Sequence, residues 1–208
     1  MENKITGCVF DLDGTLADTA PDIAIALNNS LNDAGLRQVP VESVKEMIGN
    51  GIPVLVRRAL FHIEAPEDLA ADVITSMLAY SRKYYCEKSS LMHGVKDCLE
   101  GLKKRGIPMS ICTNKDETVA QMVVSALDLN SYFYAIVGSR PNLVKKPDPS
   151  MLQIAAEAIN SPMETTMMIG DSEVDAATGI AASSISVIVR GGYCHKPYEV
   201  LNLSLIHI

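Results

Sequence analysis

Apolar positions along the chain follow two rhythms. Short apolar runs at Thr6–Phe10, Pro108–Thr113, Tyr134–Val137, Thr166–Ile169 and Ile185–Val189 read as strands. Between them lie segments of helical periodicity at Val95–Arg105, Glu117–Leu127, Ser150–Ile159 and Glu173–Ala182. Gly106, straight after Lys103, Lys104 and Arg105, reads as a helix stop. Strands alternating with helices predict an α/β fold, a Rossmann-like three-layer core with a parallel sheet.

One region breaks the alternation. From Asp18 to about Ser90 the pattern is helical throughout. Pro21 stands where a first helical residue belongs, Ile23, Leu27 and Leu31 mark one face, and Gly35 ends the segment. Further helices fit Val54–Phe61 and Pro66–Cys86. The expected layout is a discontinuous α/β core, residues 1–17 and 91–208, interrupted by a small helical cap at 18–90. An insert of this kind often forms a lid beside a site.

The bulk numbers narrow the partners. The net charge of −7 over 208 residues argues against nucleic acid or an anionic membrane, both of which need a basic face. Five scattered cysteines (Cys8, Cys86, Cys98, Cys112, Cys194) form no CxxC pair, the usage of a reducing compartment. No run approaches the length of a membrane span, and the N-terminal apolar run is too short for a signal peptide. The expectation is a cytoplasmic protein, monomer or homodimer.

The chemistry gathers at strand ends. In "FDLDGT" Asp11 and Asp13 lie one residue apart and point to the same side of an extended chain. At roughly 5 Å and an effective dielectric near 20, their repulsion is about 3 kcal/mol, on the order of two pKa units. Solvent, a cation or a bound proton can relieve it. By itself the stretch fits an Asx-type turn as well as a site. In "MMIGDSEVDAATG" Asp171 also follows an apolar strand, and Ser172-x-x-Asp175 fits a helix capping box. The box accounts for Ser172 and Asp175 but not for Asp171. In an open parallel sheet Asp11, Asp13 and Asp171 all collect beyond the strands' carboxyl ends, where ligands bind. Three carboxylates with no histidine or cysteine suit a hard divalent cation, Mg²⁺ first.

Thr113 and Asn114 end the next strand, and Thr113-x-x-Asp116 is itself a possible capping box. A hydroxyl and helix-start amides there also suit an anion. Lys146, before Pro147, stands in the one connection able to return positive charge to an anionic site. Within 18–90 the most turn-like spot is Gly49-Asn50-Gly51; it reads either as a plain helix–helix turn or, with Arg57, as a loop that meets a substrate. Other motifs fail: Gly101-LKKR-Gly106 lacks the Lys-Ser/Thr of a P-loop, and the four histidines show no ligand spacing.

The ordered set DxDGT, Thr at a strand end, Lys before Pro, then GDSxxD resembles the haloacid dehalogenase-like hydrolase superfamily. Within it, "FDLDGTLADTAPDIAIALN", "IGNGIPVLVRRAL", "TNK", "KKPDPSML" and "IGDSEVDAATG" are most similar to phosphoglycolate phosphatases. The resemblance implies a Mg²⁺-dependent phosphatase acting on a small phosphorylated metabolite, 2-phosphoglycolate first, through an aspartyl-phosphate. It implies Asp11 as nucleophile and Asp13 as general acid and base. The metal ligands would be Asp11, Asp171 and the backbone carbonyl of Asp13. Thr113 with nearby amides such as that of Asn114, and Lys146, would steady the phosphoryl oxygens, and Ser172 and Asp175 would support them. Alternatives are a sugar-phosphate mutase or pyrophosphatase of the superfamily, or a non-catalytic phosphate-binding regulator. Two departures stand out. Ser183 occupies a place where the family has a helix-closing glycine, and "VLNLSLIHI" ends on an apolar run where relatives continue into a helix, which suggests a shortened end or one that covers a partner.

Overall fold

A computed structural model describes residues 4–193; the run "VLNLSLIHI" lies outside them. Five strands form a parallel sheet: β1 (Gly7–Phe10), β4 (Met109–Asp116), β5 (Ile136–Ser139), β6 (Thr166–Gly170) and β7 (Ile185–Ile188), in the order β5-β4-β1-β6-β7. Helices α5 (Val95–Lys104), α6 (Glu117–Ala126), α7 (Ser150–Glu157) and α8 (Glu173–Ala181) connect them. The five strands and four helices agree with the sequence pattern to within three residues at every end.

Residue alternation explains the layering. Cys8 and Phe10 of β1 and Met109 and Ile111 of β4 turn to one face, against Leu99 of α5 and Val119 and Val123 of α6. Val9 and Cys112 turn to the other, against Met151, Leu152 and Ala155 of α7. A strand covered on both sides must be apolar at every position, which is why these strands read as continuous runs. Ser110 is one exception, and its hydroxyl donates to the Ala155 carbonyl at 2.7 Å, so the buried oxygen stays paired.

The helical segment leaves the sheet after β1. It comprises α1 (Ala20–Asp33), α2 (Val41–Lys45), α3 (Ile52–His62) and α4 (Ala70–Lys83). Leu27, Leu31, Val44, Val56, Leu60 and Met77 give it a core of its own. Where the pattern read helix alone, two short strands, β2 (Ala17–Asp18) and β3 (Ser90–Leu91), pair antiparallel and tie the outgoing chain to the returning one. Two residues are too few for a period to register, so no sequence signal marks them.

Ser183 has φ +59, the left-handed conformation that a glycine adopts freely. The turn after α8 thus keeps its glycine-type shape at a cost of about 1 kcal/mol. No helix among the described residues is long and apolar enough to cross a membrane.

Candidate active site

The central position of β1 decides the site. Its chain ends at Asp11 between the ends of β4 and β6, so three consecutive strand ends deliver Asp11, Thr113 with Asn114, and Asp171 to one edge. All four are buried. Gly14, at φ +84, lets the chain turn back immediately; a Cβ there would collide with the Asp171 carboxylate and the Tyr193 ring.

Lys146 enters from the loop between β5 and α7 and is 4% exposed. Its ammonium lies 2.6 Å from Asp175 Oδ1 and 3.0 Å from Asp11 Oδ1. The first contact is an aligned hydrogen bond. The second is an ion pair only, and Asp11 Oδ1 is left buried without a hydrogen-bond partner. Burial by itself would lower the Lys146 pKa, but Asp11 and Asp175 outweigh it and raise it, so the side chain is a fixed cation.

The Ser172–Asp175 capping box forms as the sequence predicts: Ser172 Oγ accepts from the Asp175 amide, and Asp175 Oδ2 accepts from the Ser172 amide and hydroxyl. With Oδ1 on Lys146, Asp175 serves both the helix start and the lysine. The other expected box, at Thr113, does not form. β4 runs on to Asp116 past a register irregularity, and Asp116 itself caps α6 by accepting from the Val119 amide at 3.1 Å. The Thr113 hydroxyl oxygen instead accepts from the Lys115 amide. The extended strand explains the difference: a box at Thr113 needs helical backbone from Asn114 onward, and β4 stays extended as far as Asp116, where the helix begins instead.

Asp11, Asp171 and Asp175 each bring a carboxylate oxygen within 4.8 Å of the others. Burial pushes the Asp11 carboxyl up to about 6, with Lys146 opposing and Asp175 and Asp13 adding to it. Burial, then the charges of Asp175 and Asp11, push Asp171 up to about 8. The folded state therefore favours the protonated acids, and that contribution to stability is complete below the unfolded carboxylate range and lost as pH rises through 6 and 8. Without divalent cations, the melting temperature should fall between about pH 4 and pH 8, by about 2–4 °C for each kcal/mol. A melting temperature that is flat or rises over that range in differential scanning fluorimetry would contradict this account of the cluster.

Asp13 is placed apart from that cluster. Its Oδ1 accepts from the Thr19 hydroxyl at 2.6 Å and lies 2.9 Å from Lys115 Nζ. The sequence reading passed over Lys115 although it stands in "TNK", because its distance to Asp13 depends on how β4 lies beside β1. It also passed over Thr15, which donates to Asp171 at 2.9 Å. Asp22 is buried and accepts from the Lys88 and Ser89 amides, so it fastens α1 to the returning chain. Tyr193 follows β7: its amide donates to Asp171, while its hydroxyl accepts from the Thr19 and Ala20 amides and donates to Asp18. No local pattern announces that role.

A cavity of about 290 Å³ opens between this edge and the helical segment. Asp11, Asp13, Thr113, Asn114, Gly49 and Gly51 all line it. Asn114 also links the two parts, since its amide donates to the carbonyls of Gly49 and Lys146. Asn50 and Arg57 do not line it. Asn50 accepts from Arg58 at 2.9 Å, and the exposed Arg57 pairs loosely with Glu67 at 3.7 Å. Helical rotation accounts for Arg57: Leu55 and Val56 take the buried positions of α3, leaving the next residue outside.

The family model described as haloacid dehalogenase-like hydrolase matches residues 8–189, a span that contains every one of these strand ends. The chain belongs to this family. It is 36% identical over 204 residues to a phosphoglycolate phosphatase of Pseudomonas syringae pv. syringae, covering 95% of this chain and 74% of that one. It is 36% identical over 197 residues to a phosphoglycolate phosphatase of Cereibacter sphaeroides, covering 94% and 89%. A solved structure of a predicted phosphoglycolate phosphatase from Haemophilus somnus superposes with a TM-score of 0.89 at 27% identity, over 99% of this chain and 94% of that one. This haloacid dehalogenase-like hydrolase is thus an enzyme of the phosphoric monoester hydrolase kind, similar to phosphoglycolate phosphatases.

Proposed function

We propose that this enzyme is a Mg²⁺-dependent phosphatase of a small phosphomonoester, 2-phosphoglycolate first, working through an aspartyl-phosphate on Asp11. The observation that carries the reading is Asp11 Oδ1, buried beside the Lys146 ammonium yet free of any hydrogen bond. An oxygen held in that way stays available as a nucleophile or a metal ligand. The name shared by the curated relatives supports the choice of substrate.

The residues present suit a divalent ion: all donors are oxygens, the carboxylates converge, and one buried oxygen is unpartnered. Asp11, Asp171 and the backbone carbonyl of Asp13 would hold it; Asp175 is committed to Lys146 and the helix start. When bound, the ion supplies positive charge for the phosphoryl oxygens.

Asp11 attacks phosphorus, and the bond from phosphorus to the leaving oxygen breaks. Asp13 gives that oxygen a proton, so an alcohol departs. A water then attacks the aspartyl-phosphate, Asp13 takes its proton, and the bond from phosphorus to Asp11 breaks. Lys146, Thr113 and the Asn114 amide neutralise the oxygens in transit. Lys115, paired with Asp13, brings a second cation to the cavity wall that the phosphate enters. The helical segment acts as a cap that excludes water and reads the part of the substrate that is not phosphate. With its dispersed cysteines, the enzyme belongs in the cytoplasm.

The test is phosphate release from phosphoglycolate, pyrophosphate, hexose phosphates and nucleoside monophosphates. Release should be fastest from phosphoglycolate, cease with EDTA and return with Mg²⁺. Turnover that survives EDTA would overturn the metal assignment. Conversion of a hexose phosphate without net phosphate release would make the enzyme a mutase.

A further inference from the structure

Among the described residues, Lys115 and Lys145 are the two lysines that line the cavity, and the wall contributed by the helical segment brings no cation to it. That wall is mostly apolar, with Ile23, Ile48, Ile52, Leu55 and Met77. The other charged side chains there already have partners. Asp13 holds Lys115, Asp11 faces Lys146, Asp22 takes two amides, and Asp116 caps α6 with Arg82 3.9 Å away. Lys145 differs: among the described residues no carboxylate lies within ion-pair distance of its ammonium.

Its location gives that freedom a use. Lys146 turns inward to Asp11, while its neighbour Lys145 faces the helical segment at Gly51. Gly51 has φ +82, and a Cβ there would come within 2.7 Å of Lys145 Nζ. A glycine thus makes room for the ammonium at the seam between the two parts. Partial burial lowers the Lys145 pKa, with Asp116 pulling the other way, so an incoming anion would relieve a half-desolvated charge.

We propose that Lys145 selects the substrate by receiving the carboxylate of a short phosphorylated acid while the phosphate lies at Asp11. This deepens, and rests on, the phosphatase reading above. One ammonium matches one carboxylate. A second phosphate, with about 1.5–2 charges at neutral pH, would remain under-compensated there. The 290 Å³ cavity and its apolar far wall favour a short acid over a polyhydroxylated sugar. Arg57, which one reading of the Gly49–Gly51 loop brings to the substrate, lies outside the cavity, and Lys145 takes that task.

Phosphoglycolate and ethyl phosphate share a two-carbon tail and differ in the carboxylate. Lys145→Met should lower the ratio of their kcat/KM values by about 10–100-fold, the worth of one charge-assisted hydrogen bond, acting through KM. Lys145→Arg should recover much of it. Calorimetric titration with phosphonoacetate and ethylphosphonate, in the presence of Mg²⁺, should show the same preference in the parent protein and its loss in Lys145→Met. An unchanged ratio, or equal losses on both members of each pair, would overturn the assignment. If the parent protein hydrolyses neither ester, the phosphatase reading fails, and the titrations still decide the role of Lys145.

Discussion

Asp11→Asn is expected to release no measurable phosphate from any ester while unfolding at the temperature of the parent protein or above it. The loss should be at least about 10⁴-fold, since a nucleophile that forms the covalent intermediate has no substitute when removed. The second half of the result follows from burial. The Asp11 carboxyl is pushed up to about 6, so at neutral pH the fold holds a charge it would rather see protonated. An amide of the same shape removes that cost, a common exchange of stability for activity at catalytic positions. The measurement is phosphate release beside a thermal melt. Turnover at parental rates would end the aspartyl-phosphate proposal; lost activity with a large drop in melting temperature would show that Asp11 chiefly holds the fold.

The second large effect belongs to Lys146→Met. Removing the ammonium leaves Asp11 and Asp175 facing one another beside Asp171 with no cation between them. Breaking a buried pair from one side typically costs about 3–5 kcal/mol. At this chain length that corresponds to a melting temperature lower by about 6–20 °C. The deficit should shrink toward pH 5, where the carboxylates take up protons, and grow toward pH 8. Activity should fall by about 10²–10³-fold through loss of charge at the phosphoryl group. Melting curves across pH with and without Mg²⁺ check both parts. A variant as stable as its parent at pH 8 would mean that the carboxylates are not held charged by Lys146.

Much of this was open to sequence reading because the signals are local and repeated. β1 announces itself by an apolar run that stops at Asp11, and β6 by one that stops at Asp171. Ser172 and Asp175 declare a helix start at their own spacing, and the box forms. Thr113 and Asp116 have equally good spacing, yet no box forms, because β4 stays extended through both. Whether a four-residue pattern becomes a cap depends on what the strand beside it is doing, and that is a fact of sheet pairing.

What escaped was contact over long separations. Lys115 meets Asp13 across 102 residues, and Tyr193 joins Asp171 to the start of α1 from the far end of the described chain. Arg57 and Lys145 show the same limit from the other side. Arg57 lies on α3 and Lys145 in the loop before α7, and only the turn of that helix and the path of that loop send one to solvent and the other into the cavity.

The sequence by itself determined the α/β alternation, the helical interruption, and the acidic strand ends with one lysine to balance them, because periodicity and residue chemistry are written over short spans. The tertiary structure alone decided which oxygen stays unpaired, which carboxylates converge and which lysine faces the cavity. Those depend on strand order and side-chain direction, where a rotation of one helical residue or a shift of one strand position moves a charge from the site to the solvent.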